Sequence, residues 1–196
     1  MEIKFNYAPE RQFYAVRFEP GDFETRPFIG EMRFWGVDRF PCRQLSSLAA
    51  LIALKTHPVR ALTMGNTSIS PAVCTALTEH FGVELFPGTY DINRRHFPGG
   101  EKSVAPARLG SAAPLPEPGI EMLTWMSLDD LGGPLGGHIR TNIDVFEVSE
   151  PEKNLIVALC CAGMDVGHIL VDGADPELAK LIHLIGLELV PNAKSA

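Results

Sequence analysis

With 196 residues, 45% of them apolar, and a mean hydropathy of +0.06, the chain can bury one sizeable core or two small ones, and its composition is not that of a disordered segment. A net charge of −7 argues against general binding to nucleic acid or anionic membranes, both of which need a basic surface. No apolar run approaches the roughly 20 residues of a membrane-spanning helix, and residues 1–6 alternate like a strand rather than forming a signal peptide's apolar stretch.

In chain order, residues 2–7 and 13–18 alternate (Ile3, Phe5, Tyr7; Tyr14, Val16, Phe18) around Ala8-Pro9-Glu10-Arg11, which predicts an N-terminal β-hairpin. A strand is expected over 30–37. Residues 44–55 form a helix that is apolar all round and therefore buried. A short strand at 60–64 leads to a helix opened by Ser70-Pro71, with serine as cap and proline at the first helical position. A strand at 83–86 closes the first module at residue 87.

Residues 88–119 are rich in Pro, Gly, Ala and Arg and carry no apolar period, so they read as a connection. The second module, 120–196, has a strand over 120–126, the glycine-rich stretch Gly132-Gly133-Pro134-Leu135-Gly136-Gly137 and a strand over 138–148. A helix follows, beginning at Pro151 or Asn154 and ending at Ala162. It leads to a strand over 168–171, a helix opened by Asp175-Pro176 and a last strand over 187–190. The expected fold class is α/β: two pseudo-repeated β-α-β-α-β modules with mixed, partly parallel sheets and an N-terminal β-hairpin.

The repeat is read from collinear matches. Gly30-Glu-Met-Arg33 aligns with Gly137-His-Ile-Arg140, and Asp38 with Asp144. Ala61-Leu62-Thr-Met-Gly65 aligns with Ile169-Leu170-Val-Asp-Gly173. Phe81-Gly82-Val-Glu-Leu-Phe-Pro87 aligns with Ile185-Gly186-Leu-Glu-Leu-Val-Pro191. Either an internal duplication or the shared grammar of βαβ units accounts for them. Duplication adds a groove between two pseudo-symmetric halves, a natural place for a ligand.

Two loops stand where α/β proteins bind ligands, beyond the carboxyl ends of strands. Gly65, Asn66, Thr67 and Ser68 precede a helix whose free N–H groups suit an anion, or they form an ordinary turn with a Ser70 cap. In the second half, Asp175 and Glu177 suit a helix start electrostatically, and Asp172 is left for a metal or a hydroxyl. Arg33 and Arg140, at matching places, could converge on one carboxylate or phosphate, or pair internally with Asp38 and Asp144. His138, beside the glycine-rich turn, is a candidate general base.

Other signals fail on their spacing. Pro98-Gly-Gly-Glu-Lys-Ser103 places Glu101 where a phosphate-binding loop needs glycine. The glycines before His138 lack dinucleotide-binding spacing. The histidines show no zinc pattern, and there is no nucleophile elbow. Asn93-Arg94-Arg95-His96 makes the connection locally basic, as a solvated loop or a partner-binding arm. Cys42, Cys74, Cys160 and Cys161 form no C-x-x-C pair and read as reduced core thiols of a cytoplasmic protein.

The segment 59–88, VRALTMGNTSISPAVCTALTEHFGVELFPG, resembles part of the aspartate/glutamate racemase superfamily, two pseudo-symmetric α/β halves in which a strand ends in Cys-Asn-Thr. Here Gly65 replaces that cysteine, and Asp172-Gly173-Ala174 stands where the family has its second. The resemblance covers about one-sixth of the chain and would imply a binding relative without the two-thiol reaction.

No motif names a reaction or a cofactor. The expectation is therefore a protein that binds a small anionic molecule between its halves. The alternative is a non-catalytic scaffold that self-associates as a homodimer or higher homo-oligomer, with its N-terminal aromatics (Phe13, Tyr14, Phe18, Phe23, Phe28, Phe34, Trp35) at a sheet edge or dimer surface.

Overall fold

The structure, a computed structural model, describes residues 1–22, 24, 27, 29–37, 41–65, 67–90, 101–108, 124–130, 137–161, 166–173, 175–184 and 186–191. These build a mixed α/β fold with four helices among the described residues. Strand β1 (Glu2–Ala8) turns through Pro9–Arg11, with Gln12 left-handed at φ 47°, into β2 (Phe13–Glu19), and β3 (Glu31–Trp35) lies antiparallel beside β2. Helix α1 (Arg43–Ala53) leads to β4 (Ala61–Thr63), which is parallel to β1. Short β5 (Ser68–Ile69) precedes α2 (Pro71–Phe81), β6 (Glu84–Phe86) is parallel to β4, and β7 (Thr89–Tyr90) pairs with β5.

The later elements follow the same plan. Strands β8 (Lys102–Arg108), β9 (Thr124–Asp130) and β10 (Gly137–Thr141) form an antiparallel meander, and α3 is Glu150–Cys161. Strand β11 (Val166–Leu170) runs parallel to β8, α4 is Pro176–Leu184, and β12 (Glu188–Val190) runs parallel to β11. All the strands except β5 and β7 form one sheet in the order β12-β11-β8-β9-β10-β3-β2-β1-β4-β6. Outward from the centre, each side reads the same in strand order and sense. The sides meet where β3 and β10 pair antiparallel, Phe34 opposite Thr141 and Trp35 opposite Arg140.

The backbone also refines the sequence alignment. Met64 N donates to Phe86 O at 2.9 Å, and Val171 N donates to Val190 O at 3.1 Å. Leu62 and Met64 are buried on β4, as Ile169 and Val171 are on β11. Leu62 and Ile169 thus occupy like positions on the two sides of the sheet, where the sequence match had set Leu62 beside Leu170.

One sheet face carries Ile3, Tyr14, Val16, Phe18, Met32 and Phe34, all buried. Helices α1 and α3 pack on this face and on each other. Both are buried nearly all round, Leu45–Ala53 on α1 and Leu155–Cys161 on α3, and so form the middle of the molecule. Ser46, Ala49 and Ala50 on one helix and Ala158 and Cys160 on the other are small enough for close approach. Helices α2 and α4 also touch. The strands they follow, β4 and β11, stand seven places apart in the sheet, about 34 Å if it were flat. The sheet therefore curls around the central helices.

Local sequence explains the helix ends. Ser70 Oγ accepts from Val73 N at 3.3 Å to cap α2, which Gly82 closes with φ 65°. Asp175 Oδ1 accepts from Glu177 N at 2.9 Å at the start of α4. Ser149 and Glu152 form a capping box on α3: Glu152 Oε2 accepts from Ser149 N at 2.8 Å and from Ser149 Oγ at 2.7 Å. The other oxygen of Glu152 is paired with Lys55, just beyond α1, tying the two central helices together.

Several expectations change. Residues 102–108, read as connection, form β8 in the body of the sheet; Val104, Ala105 and Pro106 are buried there although their stretch lacks a strong apolar alternation. The strand expected over 120–126 is Thr124–Asp130. The one expected over 138–148 ends at Thr141, where Asn142 and a 3-10 turn at Ile143–Val145 redirect the chain. Strands β1–β3 are interior, so Phe13, Tyr14, Phe18, Phe34 and Trp35 make no sheet edge, while Phe23 and Phe28 lie outside the described residues; β6 and β12 are the edges among the described strands. All four cysteines are buried and outside disulfides. Among the described residues, no helix is long and apolar enough to cross a membrane.

Burial raises the Glu152 carboxyl pKa, but the bonds from Lys55 and Ser149 outweigh it and hold it below the usual 4.5. Its contribution is present above that value and is lost as pH falls through the lowered one. Glu152→Ala is expected to cost about 2 kcal/mol at pH 7. Glu152→Gln should flatten the acid limb of stability between neutral pH and pH ~3. Urea unfolding across that range measures both.

Candidate functional site

The loop after β4 is built from internal bonds. Gly65 has φ 55°, and a Cβ there would lie 3.2 Å from Ile3 O, so glycine lets the chain leave β4 across β1. Thr67 is 1% exposed, with its hydroxyl 3.4 Å from Ser47 Oγ and its carbonyl accepting from Gly88 N at 3.1 Å. Ser68 O accepts from Gln44 Nε2 at 3.0 Å. Thr67 and Ser68 thus fasten the loop to α1 and to the start of β7. Asn66 lies outside the described residues. In the second half, Asp172 is exposed at the end of β11, and Asp175 caps α4.

Arg33 and Arg140 do come together. Arg140 is the register partner of Trp35, and Arg33 is two residues from Trp35, so both arginines occupy one sheet face at the seam, the face away from α1 and α3. Arg33 does not use the expected kind of partner. Its Nε donates to Glu31 Oε1 at 2.5 Å, while Glu31 Oε2 accepts from Arg17 Nε at 2.7 Å. Asp38 lies outside the described residues, and Asp144 sits 3.6 Å from Lys153 Nζ. The physical reason is alternation: Arg17, Glu31 and Arg33 share a face, with Arg17 directly opposite Glu31.

Beside them, Asn142 extends the seam with its side chain. Oδ1 accepts from Arg33 N at 2.8 Å, and Nδ2 donates to Glu31 O at 3.0 Å, replacing a ladder step where β10 ends. Arg140 differs from Arg33, because its Nε is buried with no hydrogen-bond partner. A buried guanidinium donor without an acceptor carries a desolvation cost of about 1–3 kcal/mol. Trp35, against which Phe13 packs at 5.0 Å between ring centroids, stands opposite Arg140 on β3; Trp125 stands opposite it on β9. His138 occupies a register position two residues from Arg140, opposite Ser127, and its side chain lies outside the described set.

The seam therefore gathers Arg33, Arg140 and the His138 position. It leaves Gly65–Ser68 and Asp172 at the loops after β4 and β11, several strands away on either side. Sequence reasoning overlooked Glu31 and Trp125, and read Trp35 only as an aromatic of a sheet edge or dimer surface. The Glu31-x-Arg33-x-Trp35 alternation was the available signal for the first; the cross-strand row needs the register. Elsewhere, burial raises the pKa of the thiols of Cys160 and Cys161 and of the Tyr14 hydroxyl, so none of the three is a ready nucleophile. No cluster of metal-ligating side chains occurs among the described residues.

Gly65→Ala is expected to destabilise by about 2 kcal/mol, from left-handed backbone strain plus the contact with Ile3 O. Gly82→Ala, with similar φ but open space, should cost only about 1 kcal/mol. Paired thermal melts test that order.

No protein-family model matches the sequence, and neither a curated protein nor a solved structure shows significant similarity to it.

Proposed function

We propose that the chain is two diverged copies of one β-β-β-α-β-α-β unit, joined edge to edge, and that it binds a small anionic molecule at the seam, with Arg140 as the principal contact. The coincidence of strand order, strand sense and helix placement on the two sides supports the duplication.

The observation that carries the binding reading is the buried, unpartnered Nε of Arg140. Arg33, Arg17 and Glu31 already satisfy one another. Arg140 Nε and, next to it, Thr141 Oγ1 are both buried at the seam without a partner, and a carboxylate or phosphate is the group a guanidinium holds best. Arg33 on the same face adds positive potential, and Trp35 gives the ligand an apolar wall.

The test is a thermal-shift series with phosphate, nucleoside phosphates, dicarboxylates and amino acids. A ligand at 100 times its dissociation constant adds about 2.7 kcal/mol. For a chain of this size that raises the melting temperature by roughly 5–10 °C. Arg140→Met should abolish the shift. It should also leave the ligand-free protein as stable as the parent or more so, because it removes an unsatisfied buried donor. Silence across the panel, or a shift that survives Arg140→Met, overturns the reading. A ligand-free Arg140→Met protein that melts well below the parent would make Arg140 structural.

A further inference from the structure

A cavity of about 180 Å³ opens on the helix-bearing side of the seam, away from Arg140. The first half supplies Pro27 and Ile29 before β3, and Leu54, Thr56 and His57 beyond α1. The second half supplies Val145, Phe146 and Glu147 between β10 and α3. Phe146 is held edge-on against Phe18, with centroids 6.3 Å apart, so this wall is fixed by the core. Its lining is mixed: apolar side chains of Pro27, Ile29, Leu54 and Phe146 stand beside polar groups at Thr56, His57 and Glu147.

The electrostatics around it point one way. Among the described residues, no lysine or arginine lines the cavity. It lies at the carboxyl end of α1, where the helix dipole favours positive charge. The neighbouring carboxylates already have cations: Glu24 has the Met1 amine, Glu150 has Lys153 and Glu152 has Lys55. Glu147 makes no hydrogen bond or ion pair among the described residues, and it stands exposed at the rim. A hollow with an apolar wall, one carboxylate without a cation and a negative helix end matches a small organic cation, with its apolar body against Phe146 and its ammonium at Glu147.

We infer that this cavity is a second binding site, selective for a primary ammonium carried on a compact apolar group. It is independent of the anion site at Arg140 and has the opposite charge preference.

The experiment titrates the full chain with benzylammonium, benzyl alcohol and benzoate, following backbone amide shifts of residues 53–57 and 145–147 by NMR. Benzylammonium should move these signals saturably. Benzyl alcohol, of the same shape but neutral, should bind about fivefold more weakly, and benzoate not at all, since an ion pair at an exposed carboxylate is worth up to about 1 kcal/mol. Glu147→Gln, at an exposed position that leaves the core intact, should weaken benzylammonium to the level of the alcohol. Equal binding of the alcohol and the amine would overturn the inference and leave only an apolar hollow. So would unchanged affinity in Glu147→Gln, or no shifts at all. Anion binding at Arg140 should be unaffected by Glu147→Gln, which separates the two sites.

Discussion

The antiparallel pairing of β3 with β10 is the contact on which the rest of the molecule depends. It converts two five-stranded sheets into one and brings the two central helices side by side. The seam is short, and Asn142 lengthens it with an amide side chain that copies a peptide group. An unpaired backbone group at such a buried join would cost as much as a lost hydrogen bond, so this residue is part of the sheet in every sense but the covalent one. Above the seam, Lys55 and Glu152 fasten the helices that the strands bring together.

Around that join the packing follows from residue size. Helices α1 and α3 are buried on nearly every side, a position that excludes a polar face. Their serines, alanines and cysteines permit close contact, while the bulk is supplied by Tyr14, Phe34, Met32 and Ile3 from the sheet. The curl of the sheet lets one core serve the whole assembly: residues from Met1 to Leu187 fall into a single cluster. Two modules that look separable along the chain therefore share their hydrophobic interior.

Much of this was legible in the residues. The stretch at 44–55, with apolar residues all round the helix, announced a buried helix. Ser70-Pro71 marked the start of α2, because capping chemistry is local. Strand β8 escaped notice, since its Val-Ala-Pro run has little amplitude and its burial is imposed by neighbours on both sides. Pairing of β3 with β10 could not be read either, because edge-to-edge joining leaves no periodicity in either strand. The candidate arginines were found by their matching positions, yet the difference between them was not: Arg33 Nε bonds to Glu31, which it shares with Arg17, and Arg140 Nε keeps no partner, a distinction that only register reveals. The loop at Gly65–Ser68 had the composition of a ligand cradle, and contacts from Ser47 and Gln44, some 20 residues upstream, turned it into a fastening.

The antiparallel seam has a consequence at the far ends of the sheet. Because the two sides run outward in the same order, the sheet of described strands ends in two like borders, β6 and β12. A protein with one adhesive border makes a closed pair; a protein with two can add copies at both ends and grow into an open ribbon. Each border here is three residues long and begins with an exposed glutamate, Glu84 or Glu188. Short length and like charge are the common means by which natural sheets resist such growth, and both are present at each end of this one.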